Sequence, residues 1–169
     1  MVPKTAAIGM VSDQSNPNAE GDVKNALAAA AALGRTLHVA NVAAQSDIDA
    51  AFAALVAQQV AAVFVAPHAN FRIWRERVLA LAARHALPAS FSNGDFVKVG
   101  GLMSYGPDQL DSYREAGVYT GRILKGEKPA DLPVLQSSKF EFAINLKTAK
   151  ALGITIPPTM LVAATEVIE

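Results

Sequence analysis

The feature that most constrains the fold is a regular alternation of short apolar runs with longer helical segments between residues 5 and 92. Four apolar runs of strand length occur there: TAAIGMVS, RTLHVANV, AAVFVAP and LPASFS. Continuous apolar runs of this length are typical of strands buried on both faces. Strands that alternate with helices at this spacing predict right-handed βαβ units. We therefore expect an α/β fold, a three-layer α/β/α parallel sheet of the flavodoxin-like type, over residues 1–97.

The helices between these runs carry recognisable end signals. Asn18 is placed to cap the first helix, with Glu20 in its first turn, and Gly34 to end it. Ser46 is predicted to open the second helix, with Asp49 at the reciprocal capping position. The third helix is predicted as one unbroken element over residues 70–86.

The remainder, residues 98–169, is less regular. A helical turn in DFVKVG leads to a fifth strand, GLMSY, and to a fourth helix, which Asp108 caps. After a proline-containing connector come a strand, KFEFAIN, a short helix, LKTAKALGI, and a last helix within IPPTMLVAATEVIE. We predict that this part is a separate, returning segment.

Composition and missing motifs exclude several functions. Fifteen basic and fifteen acidic residues without a basic run argue against nucleic-acid binding. Cysteine is absent, and no apolar run approaches the ~20 residues of a membrane span, so no membrane insertion is expected. Dinucleotide, P-loop, zinc-protease and nucleophile-elbow motifs do not occur. We expect no enzyme activity and no cofactor.

Polar side chains follow the predicted strands at their carboxyl ends, where open parallel sheets bind ligands. They suit holding a small polar molecule better than transforming one. Turns and helix caps need the same residue types, which is the alternative for any single member. The candidate ligand-binding residues are Asp13, Ser15, Asn16, His68, Asn70, Phe71, Ser92, Asn93, Asp95, Ser104 and Tyr105.

Four stretches carry a resemblance to a known family: NPNAE…LGRTLHVANVAAQSDIDAAFAAL, LALAARHALPASF, GGLMSYGPD and ILKGEKPADLPVLQSSKFEFAINLKTAKALGITIPP. They resemble ABC-transporter substrate-binding proteins of the tryptophan/tyrosine type. The resemblance implies an exported, periplasmic protein with two lobes and a ligand in the cleft between them, often an aromatic or other amino acid, and an ABC permease as partner. It also implies that this chain begins at the first strand of the second lobe.

These expectations combine into one hypothesis with an alternative. The chain is predicted to be a solute-binding component, or part of one, of an ABC uptake transporter. The alternative is a non-enzymatic intracellular sensory or scaffold domain, because the N-terminus lacks the features of a signal peptide and a chain complete as written would be cytoplasmic. Residues 98–125 are predicted to belong to an absent lobe and to expose an apolar face, which favours a homo-oligomer formed through this segment.

Overall fold

The fold is built on one sheet of seven strands, seen in a computed structural model that describes residues 6–169. Their order is β2-β1-β3-β4-β5-β6-β7. All neighbouring strands are parallel except β5 and β6, which are antiparallel. The strands are β1 (Ile8–Asp13), β2 (Leu37–Val42), β3 (Ala62–Val65), β4 (Ala89–Phe91), β5 (Met103–Pro107), β6 (Phe140–Asn145) and β7 (Glu166–Ile168).

Helices flank this sheet, as the α/β prediction requires. They are α1 (Ala19–Ala32), α2 (Ile48–Ala57), α3 (Ala69–Ile73), α4 (Arg75–Arg84), α5 (Gly94–Lys98), α6 (Gln109–Leu124), α7 (Leu146–Ala151) and α8 (Pro158–Ala163). The main core lies where α2 and α4 pack on β1–β4. A second, smaller core joins β5 and β6 to α7 and α8.

The described elements confirm most of the sequence predictions and correct several. The first predicted strand began at Thr5, which lies outside the described residues. The predicted third helix is two helices, because Trp74 has a ψ of 10° and interrupts the helical backbone. Trp74 packs against the main core and meets the Phe71 ring edge-on at 5.8 Å between centroids. Its contribution is therefore to packing.

The end of the chain also differs from its prediction. The last helix ends at Ala163 and is followed by β7, a strand that pairs with β6. Thr165 holds the residue before β7 against β6. Its backbone N–H donates to the Phe142 carbonyl oxygen at 2.8 Å, and its Oγ1 accepts from the Phe142 N–H at 2.9 Å. The β-branched Val167 and Ile168 suit the strand that follows.

The second predicted helix begins differently. Asp47 precedes α2, and its Oδ2 accepts hydrogen bonds from the backbone N–H groups of Ala43 and Ala44 at 2.9 and 3.0 Å. These bonds lower the pKa of the Asp47 carboxyl. The carboxylate of Asp49, expected to complete a capping box, forms an ion pair with Arg77 of α4 instead. The expected capping roles of Ser46 and Asp49 are wrong, because a 3₁₀ turn over Gln45–Asp47 precedes α2 and makes Asp47 its N-cap residue.

Residues 98–125, the segment predicted to belong to another lobe, form a strand and a helix that differ in their packing. Its strand, β5, continues the same sheet and lies between β4 and β6, so that part of the expectation is wrong. Its helix, α6, has no buried residue, although Asp108 caps it as predicted through a bond from the Asp111 N–H to Oδ1 at 3.0 Å. The division of the chain at residue 97 stays a prediction.

Candidate ligand-binding site

The candidate site lies at the carboxyl edge of the four parallel strands β1, β3, β4 and β5. Each strand ends here and passes into a loop or a helix start, so the predicted polar residues reach one side of the sheet. Four of the predicted residues are joined directly by hydrogen bonds, and others line a depression beside them.

Asp13 is the centre of the bonded group. It is 1% exposed, and each carboxylate oxygen has two partners. Oδ1 accepts from the N–H of Ser15 at 2.9 Å and from its Oγ at 2.7 Å. Oδ2 accepts from Nδ2 of Asn70 at 2.8 Å and lies 2.6 Å from Nδ1 of His68. The Asn70 amide also donates to Ser15 Oγ at 3.2 Å.

These contacts keep Asp13 ionised. Burial raises the pKa of the Asp13 carboxyl, but the hydrogen bonds from Ser15, Asn70 and His68 together outweigh burial, and the pKa lies below its ordinary value. A buried carboxylate with both oxygens engaged has little capacity left for a ligand. Asp13 therefore orients its neighbours.

His68 is the neighbour that Asp13 orients towards the depression. The contact makes Nδ1 a donor to Oδ2 of Asp13 and leaves Nε2 for a ligand. The side chain is 21% exposed, and no described residue forms a hydrogen bond with Nε2. A ligand group that forms hydrogen bonds is a suitable partner for this atom.

Asn16 has a connecting role in the loop after β1. Its Nδ2 donates to the Pro67 carbonyl oxygen at 3.4 Å and approaches Oδ2 of Asp22 at 3.5 Å. Its Oδ1 accepts from the Asn18 N–H at 3.0 Å, which orders the approach to α1. Asn16 thus links the loops after β1 and β3, and it borders a separate hollow beside α1.

The depression between the β3 and β4 ends has a volume of about 270 Å³. Its base is aromatic, because Phe71, Phe91 and Phe96 are all buried and the last two rings stack at 4.4 Å. Its rim is polar and includes side chains that the sequence predicted as well as two that it missed. The predicted lining residues are His68, Phe71, Ser92 and Asn93, and the missed ones are Arg72 and Gln109.

Arg72 bridges three elements at this rim. Its guanidinium lies 2.9 Å from Oδ2 of Asp95 in α5 and donates to Oε1 of Gln109 in α6 at 3.3 Å. Asn93 stabilises the same region, since its Oδ1 accepts from the Asp95 N–H at 2.8 Å and caps α5. The position of Arg72 after a strand end was visible in the sequence, but its partners are distant along the chain.

The remaining predicted residues, Ser104 and Tyr105, lie on β5. Ser104 is 1% exposed, and its Oγ has no hydrogen-bond partner among the described residues. Tyr105 is exposed and stacks on Phe140 at 5.5 Å between ring centroids. Neither is bonded to the Asp13 group. Within residues 6–169, no three His, Cys, Asp or Glu side chains come together in a way that suits a metal ion.

Comparison with known proteins identifies the family to which the chain belongs. The model of the family described as ABC transporter substrate binding protein matches residues 1–168. The chain belongs to this family. None of the helices in the described part of the chain is long and apolar enough to cross a membrane. A search of curated proteins found no match.

Solved structures agree with the family in fold. An ABC domain from Streptococcus pneumonia in complex with L-Trp is 31% identical with a TM-score of 0.90, and the alignment covers 99% of this chain and 57% of that one. A conserved domain protein from Vibrio cholerae O1 biovar El Tor is 25% identical, with a TM-score of 0.90, and 98% and 56% of the two chains are covered. This chain therefore spans little more than half the length of these proteins.

A third structure supports the fold alone. It is the ligand-free, open form of a substrate-binding protein with adhesive properties from Clostridium difficile. It is 21% identical to this chain, with a TM-score of 0.73, and the alignment covers 98% of this chain and 55% of that one. The sheet and its flanking helices thus match one lobe of a periplasmic binding protein.

Proposed function

We propose that this chain binds a small polar molecule, an amino acid in particular, at the carboxyl edge of its sheet. The observation that carries the proposal is the depression with an aromatic base, a polar rim and an oriented His68. Sites of this kind combine apolar surface with a few placed polar groups. The similar Streptococcus pneumonia protein in complex with L-Trp makes an aromatic amino acid the first ligand to test.

Arg72 is the residue that we assign to a ligand carboxylate. A guanidinium offers paired N–H donors that match a carboxylate, and this one lines the depression with nearly half of its side chain exposed. The ion pair with Asp95 holds it at the rim. A ligand carboxylate would add to that contact or replace it.

Calorimetry with L-Trp, L-Tyr and a panel of other amino acids tests this assignment. The Arg72→Gln variant should bind about tenfold more weakly, because a bond to a charged group is lost. Arg77→Gln is the matched control. Arg77 is as exposed as Arg72 and also pairs with an aspartate, but it lies away from the depression. No binding by the parent chain, or an equal loss in both variants, would contradict the proposal.

The wider role follows the family. We propose that the bound solute is passed to an ABC permease and that the protein works outside the cytoplasmic membrane, in the periplasm. Binding without catalysis is supported by the hydrogen bonds at the site. Ser15 and His68 both bond to Asp13 and not to each other, so that neither is arranged as a nucleophile with its base.

We further propose that two copies associate through α6. On α6, Leu110, Tyr113 and Leu124 are all more than two-thirds exposed. A second copy that presents the same helix face would bury these apolar side chains in a symmetric contact.

Sedimentation velocity at micromolar concentration tests the association. Leu110→Glu should convert dimer to monomer. Leu33→Glu, at an equally exposed leucine outside this face, should leave the dimer unchanged, since both side chains are 74% exposed. A parent chain that is monomeric under these conditions would refute association through α6.

A further inference from the structure

A second cavity lies at the opposite, amino edge of the sheet. Ala89 begins β4 and Leu102 immediately precedes β5, while α7 follows the end of β6, which runs antiparallel to β5. These elements and the end of α4 surround a volume of about 400 Å³. The candidate ligand-binding site lies at the carboxyl ends of β3 and β4, and the two sites share no lining residue.

The lining of this cavity is almost entirely apolar. It includes the buried side chains of Leu87, Ala89 and Leu102. More than half of the lining residues are alanine or glycine, which leave open the space between α4 and α7 that larger side chains would fill. The volume and the apolar lining are those of sites that bind small molecules.

The walls of the cavity are fixed to one another. Thr148 of α7 donates a hydrogen bond from Oγ1 to the carbonyl oxygen of Gly100 at 3.0 Å, which joins that helix to the loop before β5. The same loop packs directly on α5, because a Cβ atom on Gly101 would lie 2.8 Å from the carbonyl oxygen of Phe96. The cavity is therefore formed before any ligand arrives, which lowers the cost of binding.

Lys147 gives this apolar cavity a preference for charge. It lies in the first turn of α7 and is the one charged residue among those that line the cavity. The side chain is exposed, so that water satisfies its ammonium group in the absence of a ligand. An anionic group at the rim would be attracted to it, whereas a cationic group would be repelled.

We propose that this cavity binds a small monocarboxylate with an apolar body. The hydrocarbon part lies between α4 and α7, and the carboxylate lies beside Lys147. A neutral molecule of the same shape would bury the same apolar surface but would lack the charge contact. This site is separate from the one at the carboxyl edge, and the inference does not depend on the binding of an amino acid there.

Filling the cavity tests its location, with octanoate as the probe and calorimetry as the measurement. Ala83→Leu and Ala151→Leu enlarge the side chains on the α4 and α7 walls. Both alanines are exposed and helical, so we expect the variants to fold. Each should bind octanoate about tenfold more weakly or worse, because the hydrocarbon part loses its space. Ala54→Leu, at an exposed alanine of α2 outside the cavity, is the control and should bind like the parent chain.

A second measurement tests the charge contact. The parent chain should bind octanoate about threefold to fivefold more tightly than octanamide, since a contact with an exposed lysine is weak. Lys147→Met keeps an apolar stem and removes the charge, so the preference for octanoate should disappear while octanamide binding is kept. Lys150→Met is the control, because Lys150 is an exposed lysine of the same helix that does not line the cavity.

The outcomes separate this inference from the proposed function. Parent chain that shows no saturable binding of octanoate overturns the second site, whether or not it binds L-Trp. Octanoate binding that is equal in the parent chain and in both leucine variants also overturns it. A preference for octanoate that survives in Lys147→Met, or is lost equally in Lys150→Met, overturns the role of Lys147. Weaker binding in both leucine variants, with Ala54→Leu unchanged and the preference lost in Lys147→Met alone, supports the site.

Discussion

Two polar groups lie at the same edge of the sheet and differ in how their atoms are satisfied. Around Asp13, both carboxylate oxygens have two partners each, supplied by the loops after β1 and β3. At Ser104, the buried Oγ atom has no partner among the described residues. Their contributions to stability should be opposite.

This difference determines how each group contributes to stability. A satisfied buried group stabilises the fold, because its removal leaves its former hydrogen-bond partners unsatisfied. An unsatisfied buried group lowers stability, because it loses its hydration and gains no partner. Variants that remove members of each group should therefore differ in stability.

The largest effect on stability is expected at Gly106, two residues after Ser104 on β5. A Cβ atom on Gly106 would overlap the backbone carbonyl oxygen of Ser92, which cannot rotate away. Gly106→Ala should lower the free energy of unfolding by about 3 kcal/mol, as for an overpacked core site. Gly94→Ala should range from no change to about 1 kcal/mol of stabilisation.

Urea unfolding followed by circular dichroism measures both alanine variants. If Gly106→Ala is as stable as the parent chain, β5 does not approach the end of β4 as closely as described. If Gly94→Ala is strongly destabilised, the space at the Cβ position of Gly94 is filled in the folded protein.

The next largest effect on stability is expected at Asp13, whose carboxylate oxygens both accept hydrogen bonds. Asp13→Asn keeps the shape but replaces an acceptor oxygen by an NH₂ group that faces other donors. We expect a loss of about 2–3 kcal/mol in the free energy of unfolding, because buried hydrogen bonds to a charged group are broken. The control is Asp49→Asn, which removes an exposed ion pair with Arg77 and should have little effect. Equal losses of unfolding free energy in the two variants would mean that the buried Asp13 contributes no more to stability than the exposed Asp49.

The sequence predicted what depends on local pattern. Apolar runs located the sheet strands β1–β6, and the cap at Asp108 was correct because a helix cap is made by residues close in the chain. Ser15, His68 and Asn70 do meet at Asp13, since strand ends in a parallel sheet share one edge, and their role in ligand binding stays a prediction. Family resemblance added the lobe architecture, which the seven-stranded sheet and the similar structures confirm.

What the sequence missed depends on contacts between distant segments. The pairing of Asp49 with Arg77, and of Arg72 with Gln109, joins different helices. No periodicity of a single segment contains that information.

The third effect depends on pH. The folded-state pKa of Asp13 lies below the ordinary value of 3.8, so its contribution to stability is complete above that value and is lost as pH falls through the folded-state pKa. The difference in unfolding free energy between the parent chain and Asp13→Asn should be constant from pH 7 to about pH 5 and should shrink below about pH 4. Using this difference removes the contributions of Asp47, Asp49 and Glu127, whose pKa values are also lowered.

Urea titrations at several pH values give this difference directly. A difference that grows towards acid would mean that the carboxyl of Asp13 is destabilised by folding, against the hydrogen bonds described for it.

The smallest effect on stability is expected for two serines, Ser15 beside Asp13 and Ser104 on β5. Ser15→Ala removes a hydroxyl that donates to Asp13 Oδ1 at 2.7 Å, and we expect a loss of about 1 kcal/mol in unfolding free energy. Ser104→Ala removes a hydroxyl without a partner, so stability should change by less than about 0.5 kcal/mol or rise slightly. A Ser104→Ala variant that is less stable than Ser15→Ala would show that this hydroxyl stabilises the fold, and the contrast between the two groups would then be lost.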